Sequence, residues 1–140
     1  MADNRFFMTV LIVSGSRTRL VRALLDTGAS GNCIAQHVIV ALRLENAGRP
    51  TSRYITNSHG DRHLIHAEHW LAVSVLDSYG SGDDPDPLQF YAADYTRDSG
   101  FEMILGIEWW VANQLRCSVN WHARIIRWKW TMQGGEWCLW

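Results

Sequence analysis

Runs rich in apolar, aromatic and β-branched residues recur along this chain between short polar turns that carry glycine, and such runs predict strands. Phe6 to Val13 is dense in aromatic and β-branched residues, Ser14-Gly15-Ser16 supplies turn chemistry, and Thr18 to Leu25 resumes an extended pattern. Together they predict a β-hairpin that runs into Asp26. Ile34 to Leu44 is apolar on both parities, so strand and short helix compete; a strand followed by a helical turn ending near Gly48-Arg49-Pro50 is the expectation. Ser52 to Asn57, the turn Ser58-His59-Gly60-Asp61 and the run Arg62 to Leu76 predict a second, longer hairpin with Gly60 free to take a positive φ at its tip.

Asp77 to Pro87 is acidic and rich in Gly and Pro, which reads as a mobile surface loop without a role of its own. Leu88 to Asp94 and Phe101 to Leu105 predict short strands, Ile107 to Leu115 a short helix, and Cys117 to Trp130 two strands around a turn near His122. No internal repeat, low-complexity tract or linker divides the pattern. The expectation is one mostly β domain over 1–140, with its core at about 6–130 and a Trp-rich tail at 131–140.

Composition narrows the function classes. Hydrophobic residues make up 47% and charged residues 19%, which suits a packed globule. Thirteen Lys and Arg against 14 Asp and Glu leave a net charge of -1, so nothing in bulk charge draws the chain to nucleic acid or to a membrane. No apolar run reaches membrane-spanning length, and Met1-Ala2-Asp3-Asn4-Arg5 lacks a signal-peptide layout; a cytoplasmic chain is expected. Cys33, Cys117 and Cys138 are widely spaced and show no CxxC, which reads as buried free thiols. Of the 8 tryptophans, Trp121, Trp128, Trp130, Trp137 and Trp140 fall in the last stretch of the chain. Packing in the core and between subunits is favoured for them over base stacking, because Arg124, Arg127 and Lys129 make no clear basic patch.

The candidate chemistry sits at Leu24-Leu25-Asp26-Thr27-Gly28-Ala29-Ser30, where an apolar strand stops at Asp-Thr-Gly; a second apolar pair before a glycine, Ile104-Leu105-Gly106, follows much later. Two carboxylates about 3 Å apart cannot both ionise, so such a pair shares one proton and can activate water with one oxygen while protonating a carbonyl with another. Asp-Thr-Gly occurs once here. Two copies of the chain would therefore have to share the site.

These paired motifs, the Gly-tipped hairpin between them and the stretch Ile104-Leu105-Gly106-Ile107-Glu108-Trp109-Trp110 resemble the retroviral-type (retropepsin-like) aspartic proteases, and most of all those of LTR retrotransposons. The resemblance spans roughly 6–130. It implies a mostly β, retropepsin-like half-barrel with a flap hairpin and one short C-terminal helix, completed as a two-fold homodimer. It implies an aspartic endopeptidase acting on polypeptide, in polyprotein processing, in the cytoplasm or within virus-like particles, without metal or cofactor. Asp26 from each subunit would be catalytic, Thr27 would brace the two loops, and Gly28 would let the backbone approach the carboxylates. Ala29 and Ser30, the flap tip at Ser58, His59 and Gly60, and Ile104, Leu105 and Gly106 would contact substrate or line its pocket.

The chain departs from the compact viral pattern at Ser30, where many members carry Asp, and after Gly106, where the usual Arg is missing. The 77–87 loop reads as an insertion and the segment from Trp121 to Trp140 as an extension. His59, His63, His66, Glu68 and His69 invite a zinc hypothesis, but strand parity sets 63 and 69 against 66 and 68, and the Gly60 turn interrupts a helix; solvated or flap-edge histidines are favoured. A catalytically weak peptide-binding or dimerisation module on the same fold, or a domesticated cellular relative, is the competing reading.

Overall fold

The computed structural model describes residues 5–56, 62–83, 85–94, 100–133 and 136–139. The first hairpin forms as its two apolar runs and the intervening turn require. β1 (Phe6–Ser14) pairs antiparallel with β2 (Arg17–Leu25) in one unbroken register from Phe6↔Leu25 to Ser14↔Arg17, turning through Gly15 at φ 58°. Phe6, Met8, Val10 and Ile12 point one way into the core with Val21, Ala23 and Leu25, while Arg17 and Arg22 face solvent.

The ambiguous apolar run resolves into β3 (Cys33–Ala35) and a helix, α1 (Gln36–Ala41). The resemblance implied one C-terminal helix and the hydrophobic pattern only a helical turn here; a second short helix forms because Val38 and Ile39 reach the core and pay for the turn. β4 (Arg49–Pro50), β5 (Tyr54–Thr56), β6 (Arg62–Leu76) and β7 (Asp86–Ala93) follow, then β8 (Met103–Leu105) and α2 (Ile107–Asn113). β9 (Cys117–Asn120) and β10 (Ile125–Trp128) make the expected late hairpin, and β11 (Trp130–Gln133) pairs with β12 (Glu136–Leu139) as a separate ribbon.

The main sheet runs β1-β2-β8-β3-β7-β6-β4, and β1 also pairs with β6. The path β1-β2-β8-β3-β7-β6 thus closes on itself, making a small barrel within one chain where half a barrel was expected. Val10, Ile12, Ile34, Val38, Ile39, Val75, Phe90, Met103 and Leu105 are fully buried in one apolar cluster. Trp128, 1% exposed, joins it edge-on to Trp109 at 6.3 Å, as expected for core tryptophans, whereas Trp70 is exposed.

The acidic loop is not the incidental surface segment that its composition suggested. Asp77 is buried, and its carboxylate accepts the backbone N–H groups of Tyr79 (3.0 Å), Ser81 (2.9 Å) and Trp128 (3.2 Å). Asp83 accepts from Val75 N at 3.3 Å and takes the Ser74 hydroxyl on its carbonyl at 2.6 Å. Carboxylates that satisfy backbone donors are anchors: Asp77 docks β10 against the end of β6, and Asp83 ties the loop back to β6 itself.

Candidate active site

β8 comes late in the chain but lies between β2 and β3. It runs parallel to β2, with Leu24↔Ile104 and Leu25↔Leu105, and antiparallel to β3, with Cys33↔Ile104 and Ile34↔Met103. The 26–32 loop therefore leaves one flank of β8 and returns on the other, over the end where Gly106 opens α2. The last ladder bond, Asp26 N to Leu105 O at 3.0 Å, sets Asp26 at the mouth of the barrel.

Inside the loop the turn is local. Gly28 N donates to Asp26 Oδ1 at 3.0 Å and Ala29 N to Asp26 O at 3.0 Å. Asp26 and Ala29 are half-buried, and Thr27, Gly28 and Ser30 are exposed. A Cβ on Gly28 would stand 3.2 Å from Asp26 Oδ1, so the glycine keeps the approach to the carboxylate open.

The loop is then fixed from below. Ile107 N donates to Ala29 O at 2.8 Å, and Gly106 N donates to Asn32 Oδ1 at 2.9 Å. A Cβ on Gly106 would meet Gly31 O at 2.5 Å and Ala29 O at 2.6 Å; both are backbone atoms and cannot step aside. Of the expected pocket residues, Ile104 is half-buried, while Leu105 is wholly inside the core and serves the loop through its carbonyl. Leu105 lines no open surface in this chain.

Two residues of the site, Asn32 and Tyr91, escaped the sequence reading. Asn32 is 3% exposed, takes Gly106 N on its side chain and Tyr91 N on its carbonyl at 2.9 Å, and so joins loop, α2 and β7. Its signal was a polar side chain directly ahead of the buried run Cys33-Ile34-Ala35. Tyr91 lays its ring against Gly31, where an added Cβ would stand 3.1 Å from the ring. These two contacts are long-range, and no local pattern announces them.

Ser58, His59 and Gly60 lie outside the described residues; the two arms that lead to them, β5 and β6, pair from Tyr54↔Leu64 to Thr56↔Arg62. The histidines do not follow simple parity, because a bulge between Ile65 and Ala67 shifts the register of β6. His66 sits 2.9 Å from Asp94, and Glu68 is taken up by Arg49 and Arg53. His69 is not solvated: it is buried against Gly48, and burial holds its pKa below the ordinary 6.5. Among the described residues no three His, Cys, Asp or Glu side chains are placed to hold a metal ion. A cavity of about 570 Å³ lined by Arg19, Arg22, His37, Gly100, Phe101 and Glu102 lies apart from the Asp26 loop. Among the described residues no helix is long and apolar enough to cross a membrane.

No protein-family model matches this chain, and no curated protein does. Among solved structures it is similar to the retroviral protease-like domain of Ddi1 from Leishmania major, with a TM-score of 0.59 and 15% identity over 91% of this chain and 90% of that one. It is also similar to a retropepsin-like aspartic protease from Rickettsia conorii, with a TM-score of 0.47 and 17% identity over 73% of each chain. At such identities the likeness is one of fold, and the fold of this chain is retropepsin-like.

Proposed function

We propose that the chain is an aspartic endopeptidase whose active site is shared by two copies. The observation that carries this reading is the setting of Asp26: a half-buried carboxylate at a barrel mouth, on a loop clamped from beneath by Gly106 and Asn32. One such carboxylate cannot both accept and donate the protons of peptide hydrolysis. Two related by a two-fold axis can, with one proton between them and a water held by both; one oxygen takes the water's proton as it attacks, and the other carboxyl protonates the substrate carbonyl oxygen. Exposed Thr27, Gly28 and Ser30 beside Asp26 are the surface that a second copy and an extended peptide would cover.

On this reading the β5–β6 hairpin is the flap, and the peptide binds as an added strand through backbone groups. Ile104-Leu105-Gly106-Ile107-Glu108-Trp109-Trp110 supports the finer reading, polyprotein processing by a protease of the LTR-retrotransposon type. A fluorogenic peptide library assayed from pH 3 to 8, with Asp26→Asn as control, tests the claim. A bell-shaped profile that vanishes in the variant supports it, and cleavage undiminished in Asp26→Asn refutes it. Sedimentation equilibrium under assay conditions adds a second check, since a strictly monomeric active species contradicts a shared site. Peptide binding without turnover in the wild type would favour the binding-module reading instead.

A further inference from the structure

The Asp26 loop is gripped from a second side, by a line of side chains that begins at the root of the β5–β6 hairpin. Glu68 on β6 is the cross-strand partner of Arg49 on β4 and of Tyr91 on β7, which puts the three side chains on one face. Glu68 is 8% exposed, with Arg49 on one carboxylate oxygen and Arg53 Nη2 on the other at 3.2 Å. A nearly buried carboxylate held by two guanidinium groups fixes where those groups lie.

Arg53 immediately precedes β5, and its carbonyl accepts Ile65 N at 2.8 Å, so its backbone belongs to the hairpin root. Its guanidinium reaches over Tyr91, with Cζ 5.2 Å from the ring centroid. The Cδ2–Cε2 edge of the same ring rests on Gly31, and Tyr91 N is bonded to Asn32 O. Glu68, Arg53, Tyr91 and Gly31 thus form one continuous contact from hairpin to loop. Arg49 shares Glu68, but the guanidinium over the Tyr91 ring is that of Arg53.

We infer that Arg53 is a positioning residue: anchored by Glu68 and laid over Tyr91, it sets the conformation of the Asp26 loop at Gly31 from the root of the β5–β6 hairpin. The coupling itself follows from the contacts, and only its consequence for catalysis rests on the proposed peptidase function. Because the guanidinium is more than half exposed, the effect is modest: a cation over a ring in such a place shifts an opening equilibrium about three- to fivefold.

Amide hydrogen exchange read by mass spectrometry on peptides covering 26–32 tests this in the intact chain. Arg53→Ala should speed exchange there about threefold or more and leave the β1–β2 hairpin unchanged. Arg53→Lys keeps the ion pair but loses the planar stack, and should fall between wild type and Arg53→Ala. Arg49→Ala should leave the loop at the wild-type rate. Unchanged exchange in Arg53→Ala, or equal acceleration in Arg49→Ala, overturns the inference. If the protein cleaves peptides, Arg53→Ala should lower kcat more than it raises KM; a change in KM alone would contradict loop positioning. A wild type that cleaves nothing sinks the peptidase reading and leaves the exchange result to decide this one.

Discussion

Two loops in this molecule start alike and end in opposite states. Leu24-Leu25-Asp26 and Val75-Leu76-Asp77 each carry a strand of apolar residues into an aspartate, and in each the Oδ1 atom accepts an N–H two residues on, from Gly28 at 3.0 Å and from Tyr79 at 3.0 Å. There the likeness stops. Asp77 is 7% exposed, with Ser81 N also on Oδ1 and Trp128 N on Oδ2. Asp26 is half-buried, and among the described residues Gly28 N is the one donor to its carboxylate. A carboxylate whose lone pairs are filled by backbone donors holds structure together; one left with capacity can bind a proton, a water or a second carboxylate.

The contrast breaks most visibly at Asp26. Asp26→Asn should lower peptide cleavage by at least about a thousandfold while moving the thermal midpoint little, because one local hydrogen bond is all that it disturbs. Full activity in that variant would erase the distinction between the loops. Gly106→Ala comes next: its methyl group has nowhere to go between two carbonyl oxygens, so a loss of about 3 kcal/mol in urea unfolding is expected, together with loss of cleavage. Asp77→Ala should show the reverse of Asp26→Asn. Three backbone N–H groups lose their acceptor, costing about 2 to 3 kcal/mol, while activity per folded molecule stays at the wild-type level.

The smallest effects lie in pH. Burial raises the Asp83 pKa above its ordinary 3.8, against the lowering influence of Arg116, so the folded state holds this proton more tightly than the unfolded chain does. That contribution to stability is complete below pH 3.8 and lost as pH rises through the folded value, and Asp83→Asn should flatten the slope in that window. His69 has the opposite sign. Its contribution is complete above pH 6.5 and lost as pH falls through its lowered folded value, so His69→Gln should remove a weakening at mildly acid pH. Urea midpoints measured across pH 3 to 8 read both.

Much of the fold was legible where short-range pattern ruled. The β1–β2 hairpin, the long β6 strand and the β9–β10 hairpin follow from strand-rich runs and turn chemistry, and Asp26 stood out because an apolar strand stops there at Asp-Thr-Gly. What escaped is held together across long sequence separations. Asn32 matters through Gly106 and Tyr91, the bulge at Ile65 to Ala67 through its pairing with β7, and Asp77 through Trp128. Composition marked 77–87 as a surface loop, and only the distant Trp128 N–H of β10 and the Ser74 and Val75 groups of β6 turn Asp77 and Asp83 inward. α1 was ambiguous for a different reason: an all-apolar run carries no period to read.

The threading of β8 between β2 and β3 also governs when the site can exist. β1 and β2 can pair as soon as both are made, a local contact that closes a short turn. The Asp26 loop acquires its shape only when Met103–Leu105 inserts and Gly106 slides beneath Gly31, contacts that span most of the chain. A nascent chain that has not reached β8 carries Asp26 on an unsupported tether. Until β8 inserts, the loop proposed to carry the chemistry has nothing beneath it to hold its shape.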